Sequence, residues 1–346
     1  MEKTDRVALQ RVSPGGALPG LLRELKLDPA PLFAGLSFGV GDVVSDASVP
    51  FSEAVMLLDR CAQAAGLPEF GLLLGLMNDH RCLGPLGDLI ASAPTLGQAI
   101  ADNVGYQGAN SSAACAYLIP MGDLWAFGFG IYDRHLAGAE QIYAIVLATS
   151  VNMLRTLSGR QDLPLEVLFS FAPPPQPGRF EQLLRAPVRY NQPLSCILLS
   201  REALAIRNPH ADAVNRPQAL DLMRRKLRLN DKSVADRLRH QLRPSLSLGE
   251  TSLAQAARRL ALSARTLDRH LKEDGTTFQS ERDRVRHVMA CELLAMTELQ
   301  IGEIALALSY ATHSSFTRSF LRWCGENPSA WRARNAARRT DRPQPA

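Results

Sequence analysis

The chain has 346 residues, a formal net charge of +5 and 46% hydrophobic residues; it is too long for one small domain and apolar enough for more than one core. Charge is unevenly placed: residues 221–346 carry 23 Lys/Arg against 14 Asp/Glu, net +9, whereas residues 1–220 carry 16 against 20, net −4. The basic C-terminal part suits a phosphate-bearing partner, and no run has the length and apolarity of a membrane span.

In chain order, residues 1–20 start polar and become Gly/Pro-rich, which predicts a flexible tail. A short helix is expected over Leu21–Leu27, stopped before Pro29. Pro50 and Ser52 open a longer one, FSEAVMLLDRCAQAAG, on which Val55, Leu58, Cys61 and Ala62 share a face and Gly66 marks the end. Phe70–Leu76, Leu86–Ala91 and Thr95–Val104 follow as helices. After Tyr106 the period changes: Ala114–Pro120 and Leu124–Ile131 predict a hairpin turning at Met121–Gly122–Asp123. In its second strand Trp125, Phe127 and Phe129 alternate with Ala126, Gly128 and Gly130. Leu136–Leu157 is the longest predicted helix, with a stripe of Ile142, Tyr143, Val146, Leu147, Val151 and Leu154. Strands are expected at Val167–Phe171 and Cys196–Leu199, and a helix at Phe180–Leu184. Residues 21–207 therefore predict an α+β domain. The polar, proline-bearing Asn208–Pro217 opens a linker and basic helix start over residues 208–232.

Residues 233–334 predict an all-α domain with two helix-turn-helix units joined by a long helix, and residues 335–346 a disordered tail. The first unit reads TSLAQAARRLALSARTLDRHLKEDG, Thr251–Gly275. Ser252 and Ser263 are suited to cap its two helices, and Ala257 is the small residue that a close helix crossing requires. Leu267 and Leu271 point inward at i,i+4 spacing, which leaves Arg265, Thr266, Asp268, Arg269 and Lys272 outside. Arginine bridges guanine O6 and N7, so Arg265 and Arg269 are assigned to base edges; Thr266 suits a base or a phosphate, and Lys272 the backbone. The second unit, LQIGEIALALSYATHSSFTRSFLRWCG, Leu299–Gly325, repeats the logic with Ala305 at the crossing and Phe316 and Phe320 inward. Ser314, Thr317 and Arg318 are the DNA-facing choices there. His313 suits a cap or a phosphate, and Arg322 either DNA or an acidic neighbour that braces the fold. The helix between, about Phe278–Met296, would set the spacing, which for successive major grooves is about 34 Å. The competing reading of each exposed residue is an ordinary solvated helix face.

The chemistry of other classes is not visible. There is no HExxH, no GxSxG and no phosphate-binding glycine loop, so no enzyme activity and no cofactor are expected. Cys61, Cys82, Cys115, Cys196, Cys291 and Cys324 form no CxxC pair and no zinc-like cluster with histidine, so no metal is expected either. Without an N-terminal secretory segment they read as reduced, mostly buried thiols of a cytoplasmic protein.

The stretches SLAQAARRLALSARTLDRHLKEDGTTF and IGEIALALSYATHSSFTRSFLRWCGENPSAWR resemble the AraC/XylS family of transcription regulators, including the closing Gly-x-x-Pro at Gly325 and Pro328. Two positions depart from the family pattern: Ser309–Tyr310 stands where Gly-Phe is usual, and Glu281 where a tyrosine is usual. PFSEAVMLLDRCAQAAGLPEFGLLLG and FEQLLRAPVRYNQPLSCILLSREAL are similar to the arabinose-binding-type sensing domain of the ornithine-utilisation and virulence-regulator subgroup. That resemblance implies an effector-sensing or dimerising N-terminal domain, double-stranded promoter DNA as partner, RNA polymerase where the output is activation, and an unidentified small-molecule effector. Trp125, Phe127, Phe129 and Tyr143 are the candidate effector-pocket residues, against the plainer reading that they are core. Two other functions compete: an architectural DNA-binding protein without an effector, and an enzyme that is only targeted to DNA.

Overall fold

The computed structural model describes residues 8–11, 15–45, 47–131, 137–163, 165–229, 233–247, 249 and 252–340. The expected N-terminal tail is ordered where it is described. β1 (Leu9–Arg11) pairs antiparallel with β2 (Ser48–Pro50), and α1 (Leu18–Glu24), α2 (Pro29–Phe33) and α3 (Val40–Val43) lie between them. Leu18, Leu21 and Leu22 are buried, so the apolar face of α1 ties down a segment whose Gly/Pro content alone suggested freedom. Then come α4 (Phe51–Ala65), α5 (Phe70–Leu76), a short 3-10 turn at His80–Leu83, α6 (Pro85–Ala91) and α7 (Leu96–Tyr106).

The predicted hairpin forms as β3 (Ala114–Met121) and β4 (Leu124–Ile131), with Gly122 at φ 62° in the turn. The long helix follows as α8 (Ala139–Ser158), then β5 (Glu166–Leu168), α9 (Gly178–Leu184), β6 (Val188–Arg189), β7 (Ser195–Ser200) and α10 (Arg201–Ala205). The five strands order β3-β4-β7-β5-β6, antiparallel except for the β5–β6 pair. One face of the sheet packs on α8 through Phe127, Phe129 and Ile131. The other carries Cys115, Tyr117, Ile119, Ala126, Leu168 and Cys196 into a second apolar cluster.

The expected linker is not a free connection. Asn208 is buried, and its amide donates to the carbonyls of Ala91 and Ala93 at 2.7 and 2.9 Å. α11 (Arg216–Leu229) buries Met223 in the N-terminal core, and Arg216 pairs with the buried Asp102 at 2.7 Å. The polar sequence hid this because α11 needs only a narrow apolar stripe to dock. Residues 230–232 of the expected linker lie outside the described residues, as do Thr251, His135, residues 1–7 and the end of the C-terminal tail from Asp341.

The all-α domain comprises α12 (Val234–Ser247), α13 (Leu253–Arg259), α14 (Ala264–Glu273), α15 (Phe278–Met296), α16 (Ile301–Ala307), α17 (His313–Cys324) and α18 (Pro328–Thr340). α18 therefore runs on into the stretch expected to be tail. Ser252, Ser263, Thr277 and Thr312 each accept from a backbone N–H three residues on, which caps four of these helices. Ala257 and Ala305 are buried at the crossings. Both helix-turn-helix turns place a non-glycine residue in the left-handed region, Ala261 at φ 55° and Ser309 at φ 57°. Ser309 has compensation, because its hydroxyl donates to the carbonyl of Leu246. Exposed Ala261 has no comparable side-chain bond to offset the conformation. Ala261→Gly is therefore expected to stabilise the protein by about 1 kcal/mol. The check is the midpoint of urea unfolding, and a lower midpoint would contradict a strained turn.

Candidate nucleic-acid interface and effector cavity

α14 and α17 are the second helices of the two units, each anchored by two fully buried side chains, Leu267 and Leu271 in one, Phe316 and Phe320 in the other. Their outer faces carry the residues that sequence assigned to DNA. Arg265, His313, Ser314 and Arg318 are exposed. Arg269 and Lys272 are exposed as well, and each leans on an acidic neighbour one turn away, Glu273 at 3.7 Å and Asp268 at 2.7 Å. Pairs of this kind contribute a few tenths of a kcal/mol and yield readily to a phosphate. Thr266 shares a 2.8 Å hydroxyl contact with the cap Ser263. Thr317 is placed differently from its assignment, since its Oγ1 is buried and offers no hydroxyl to solvent. Arg322 takes the bracing role, reaching Asp283 on α15 at 3.1 Å.

The family departures have local partners. Glu281 is buried, pairs with Arg239 at 2.6 Å and accepts from the Thr276 hydroxyl at 2.7 Å. Tyr310 packs on Phe316, with the Arg286 guanidinium 4.3 Å over its ring.

A cavity of about 150 Å³ lies between the sheet and α4 and α8. Its wall is mostly apolar, with Phe51, Leu58, Ala116, Phe127, Phe129 and Ile142 among the lining residues. One end is polar: Arg11, Asn103, Gln107 and Asn110 converge there. Arg11 donates to Asn110 Oδ1 at 2.8 Å and to the Leu83 carbonyl at 3.1 Å, and burial lowers its pKa from the usual guanidinium range. Gln107 Oε1 is buried without a hydrogen-bond partner. Burial pushes the Cys82 thiol at the cavity wall up to about 12, which keeps it neutral. Of the four predicted pocket residues, Phe127 and Phe129 line this cavity and Trp125 and Tyr143 do not.

Tyr143 serves a different contact, which the sequence reading missed. Arg243 on α12 and Glu292 on α15 form an ion pair at 2.5 Å, with side chains 5% and 8% exposed. Arg243 also donates to the Ile131 carbonyl at 2.7 Å and to the Tyr143 hydroxyl at 3.1 Å, and that hydroxyl donates to Glu292 at 2.5 Å. Two helices of the DNA-reading domain thus meet β4 and α8 of the N-terminal domain in one buried network. Burial works against the Arg243 charge, and the carboxylate of Glu292 outweighs it, so its pKa ends above the ordinary range. Burial and the Glu292 charge together push the Tyr143 phenol well up. Glycine makes room for the approach: a Cβ at Gly130 would lie 2.0 Å from Arg243 Nε, and one at Gly128 2.4 Å from the Tyr117 ring. Around the network, Leu238, Leu242 and Leu246 of α12 pack with Cys115, Tyr117 and Ile119 of β3. A second contact joins Asn191 to Glu298, in both directions, at 3.1 and 2.9 Å. Glu292 had a signal in sequence, a lone carboxylate within the apolar run Met289–Leu294. Arg243 had none, being one of many arginines in a basic helix.

Two tandem helix-turn-helix units fastened to a cavity-bearing α+β domain define a two-domain transcription regulator. Residues 27–208 match the arabinose-binding domain of AraC transcription regulators, N-terminal, and residues 256–334 match a helix-turn-helix domain. The chain belongs to the AraC family of transcription regulators. It is 31% identical over 284 residues to the ornithine utilization regulator of Pseudomonas aeruginosa, covering 80% of this chain and 82% of that one. It is 25% identical over 317 residues to the HTH-type transcriptional regulator VirS of Mycobacterium tuberculosis, covering 90% and 93%. The solved structure of the transcriptional regulator CdpR from Pseudomonas aeruginosa is 22% identical, covers 93% of this chain and 98% of its own, and superposes with a TM-score of 0.47. No helix among the described residues is long and apolar enough to cross a membrane.

Removing one member of a buried ion pair leaves the other charge uncompensated, at about 3–5 kcal/mol. Glu292→Leu and Arg243→Met should each destabilise the protein on that scale in urea unfolding. Arg243→Met combined with Glu292→Leu should cost less than either alone; additive losses would mean that the pair is not coupled.

Proposed function

We propose that this protein is a sequence-specific transcription regulator whose DNA reading is gated by a small-molecule effector in the cavity between the sheet and α8. The observation that carries the reading is the double use of β3 and β4. One face of these strands walls the cavity, and the other is the surface on which α12 and Arg243 sit. An occupant that moves Phe127, Phe129 or Ile142 moves the elements that supply the Ile131 carbonyl and the Tyr143 hydroxyl to Arg243. The route from cavity to reading domain is therefore a chain of packed contacts that ends at a buried polar junction, and an effector gates it to the extent that its binding favours one arrangement of that junction.

The lining describes the effector class. An apolar body faces Phe51, Phe127 and Phe129, and one polar or anionic end faces Arg11, Asn110 and Gln107, whose free acceptor calls for a donor. On the DNA side, Arg265, Arg269 and Arg318 are assigned to base edges, with Lys272, Ser314 and His313 on phosphates or flanking bases. Where the output is activation, RNA polymerase is the further partner. An architectural protein without an effector would have no use for a cavity coupled to the reading domain.

The test is a promoter-fragment binding assay with and without a panel of small acids and amphipathic metabolites. A subset is expected to change DNA affinity, and Ala116→Phe, which projects a ring into the cavity, is expected to abolish that change. Indifference of DNA binding and transcription across a broad panel would overturn the gating. For base reading, Arg265→Ala and Arg318→Ala should each narrow the gap between target and random DNA by about 1–3 kcal/mol. Equal weakening on both DNAs would reduce these residues to phosphate contacts.

A further inference from the structure

His287 and Cys291 stand one helical turn apart on α15, and Cys324 ends α17. Their donor atoms, the His287 imidazole nitrogen and the two Sγ atoms, all lie within 4.8 Å of one another. Cys324 Sγ is 3.2 Å from His287 Nε2. Cys291 is buried, and the other two are half-buried, so the group is enclosed and still reachable from solvent. The expectation of no cysteine–histidine cluster fails here for a reason of spacing. The helical i,i+4 pair supplies two donors, and the third comes from 33 residues further on.

We infer that His287, Cys291 and Cys324 form a binding site for one soft d10 divalent cation of the zinc class, with water in the fourth position. Zinc takes imidazole nitrogen and thiolate sulfur at about 2.0–2.3 Å, which sets neighbouring donors about 3.3–3.8 Å apart in a tetrahedron. The observed spacing brackets that range, so ordinary side-chain rotation completes the site without moving either helix. Three donors converge on one point, one of them an imidazole; a thiol pair destined for a disulfide needs no histidine. Hard cations are disfavoured, because the group holds no oxygen ligand. Binding releases the thiol protons to solvent as the sulfurs become thiolates.

The site has a structural consequence for the second unit. Arg322 and Asp283 already link α17 to α15, and the His287 ring stacks on Trp323 at 5.4 Å. A metal at this point would pin the C-terminal end of the second recognition helix to the helix that joins the two units.

The experiment uses the full-length protein, reduced and freed of metal by a chelator, with zinc chloride as the only added ligand. Equilibrium dialysis with metal quantitation is expected to give one tightly bound zinc per chain. Cys324→Ser and Cys291→Ala should each weaken it at least tenfold, and zinc should raise the Tm of the wild-type protein alone. Cobalt(II) on the unmutated chain should show thiolate-to-metal charge transfer in the near ultraviolet and intense tetrahedral bands in the visible. The cobalt spectrum is independent of whether a variant folds. Absence of the charge-transfer band, zinc affinity unchanged in both variants, or a Cys291–Cys324 disulfide that resists the reductant would each overturn the assignment.

Discussion

The Arg243–Glu292 pair is the constraint around which the two domains are arranged. A charge that is 5% exposed must be compensated where it lies, and its partners here come from three separate elements: α15, the β4 carbonyl at Ile131 and the Tyr143 hydroxyl of α8. Only one relative placement of the domains satisfies all of them. Apolar packing of α12 on β3 supplies the attraction, as a share of the about 1.5–3 kcal/mol that full burial of each of Leu238, Leu242 and Leu246 contributes, the rest coming from contacts with α13, α14 and α15. That attraction is indifferent to small slides and rotations. The polar network is not, so it selects one register from the many that grease alone would allow.

The same network explains why the sheet is thin in side-chain volume on one face and thick on the other. Phe127 and Phe129 build the cavity wall, and Ala126, Gly128 and Gly130 leave the opposite face low enough for the Tyr117 ring and the Arg243 stem. A sheet only two side chains deep separates the cavity from the domain interface. The cavity and the reading domain are therefore close in space though distant in sequence, and the element between them is a hairpin.

Much of this was legible from the chain alone, and the legible parts share a cause. α4, α5, the hairpin and the two reading units carry strong local patterns, including caps at Ser252 and Ser263 and inward pairs at i,i+4, whereas the cap of α17 is Thr312 and not the neighbouring His313. The alternation of aromatic with small residues in β4 was visible too, but its purpose depends on what docks on the smooth face. What was hidden depends on long-range partners. The docking of α11 rests on Met223 and on Arg216 reaching Asp102, more than a hundred residues earlier. Tyr143 fell on the apolar stripe of α8 and looked like a pocket or core residue, because its hydroxyl's charged partners lie 100 and 149 residues away. Thr317 shows the converse error: a polar residue at an outward-looking position whose hydroxyl turns in.

Gly128 and Gly130 also bear on how modular such a regulator is. In many two-domain proteins a foreign input domain can be fused through a linker, because the boundary is a tether. Here the boundary is a fitted surface, and the reading domain leaves α12 uncovered if it is separated. A grafted sensing domain would have to bring a bare strip of backbone at the equivalent of β4, a carbonyl aimed at the guanidinium and a hydroxyl beside it. Exchange of this protein's input domain is thus limited by two missing side chains as much as by any that are present.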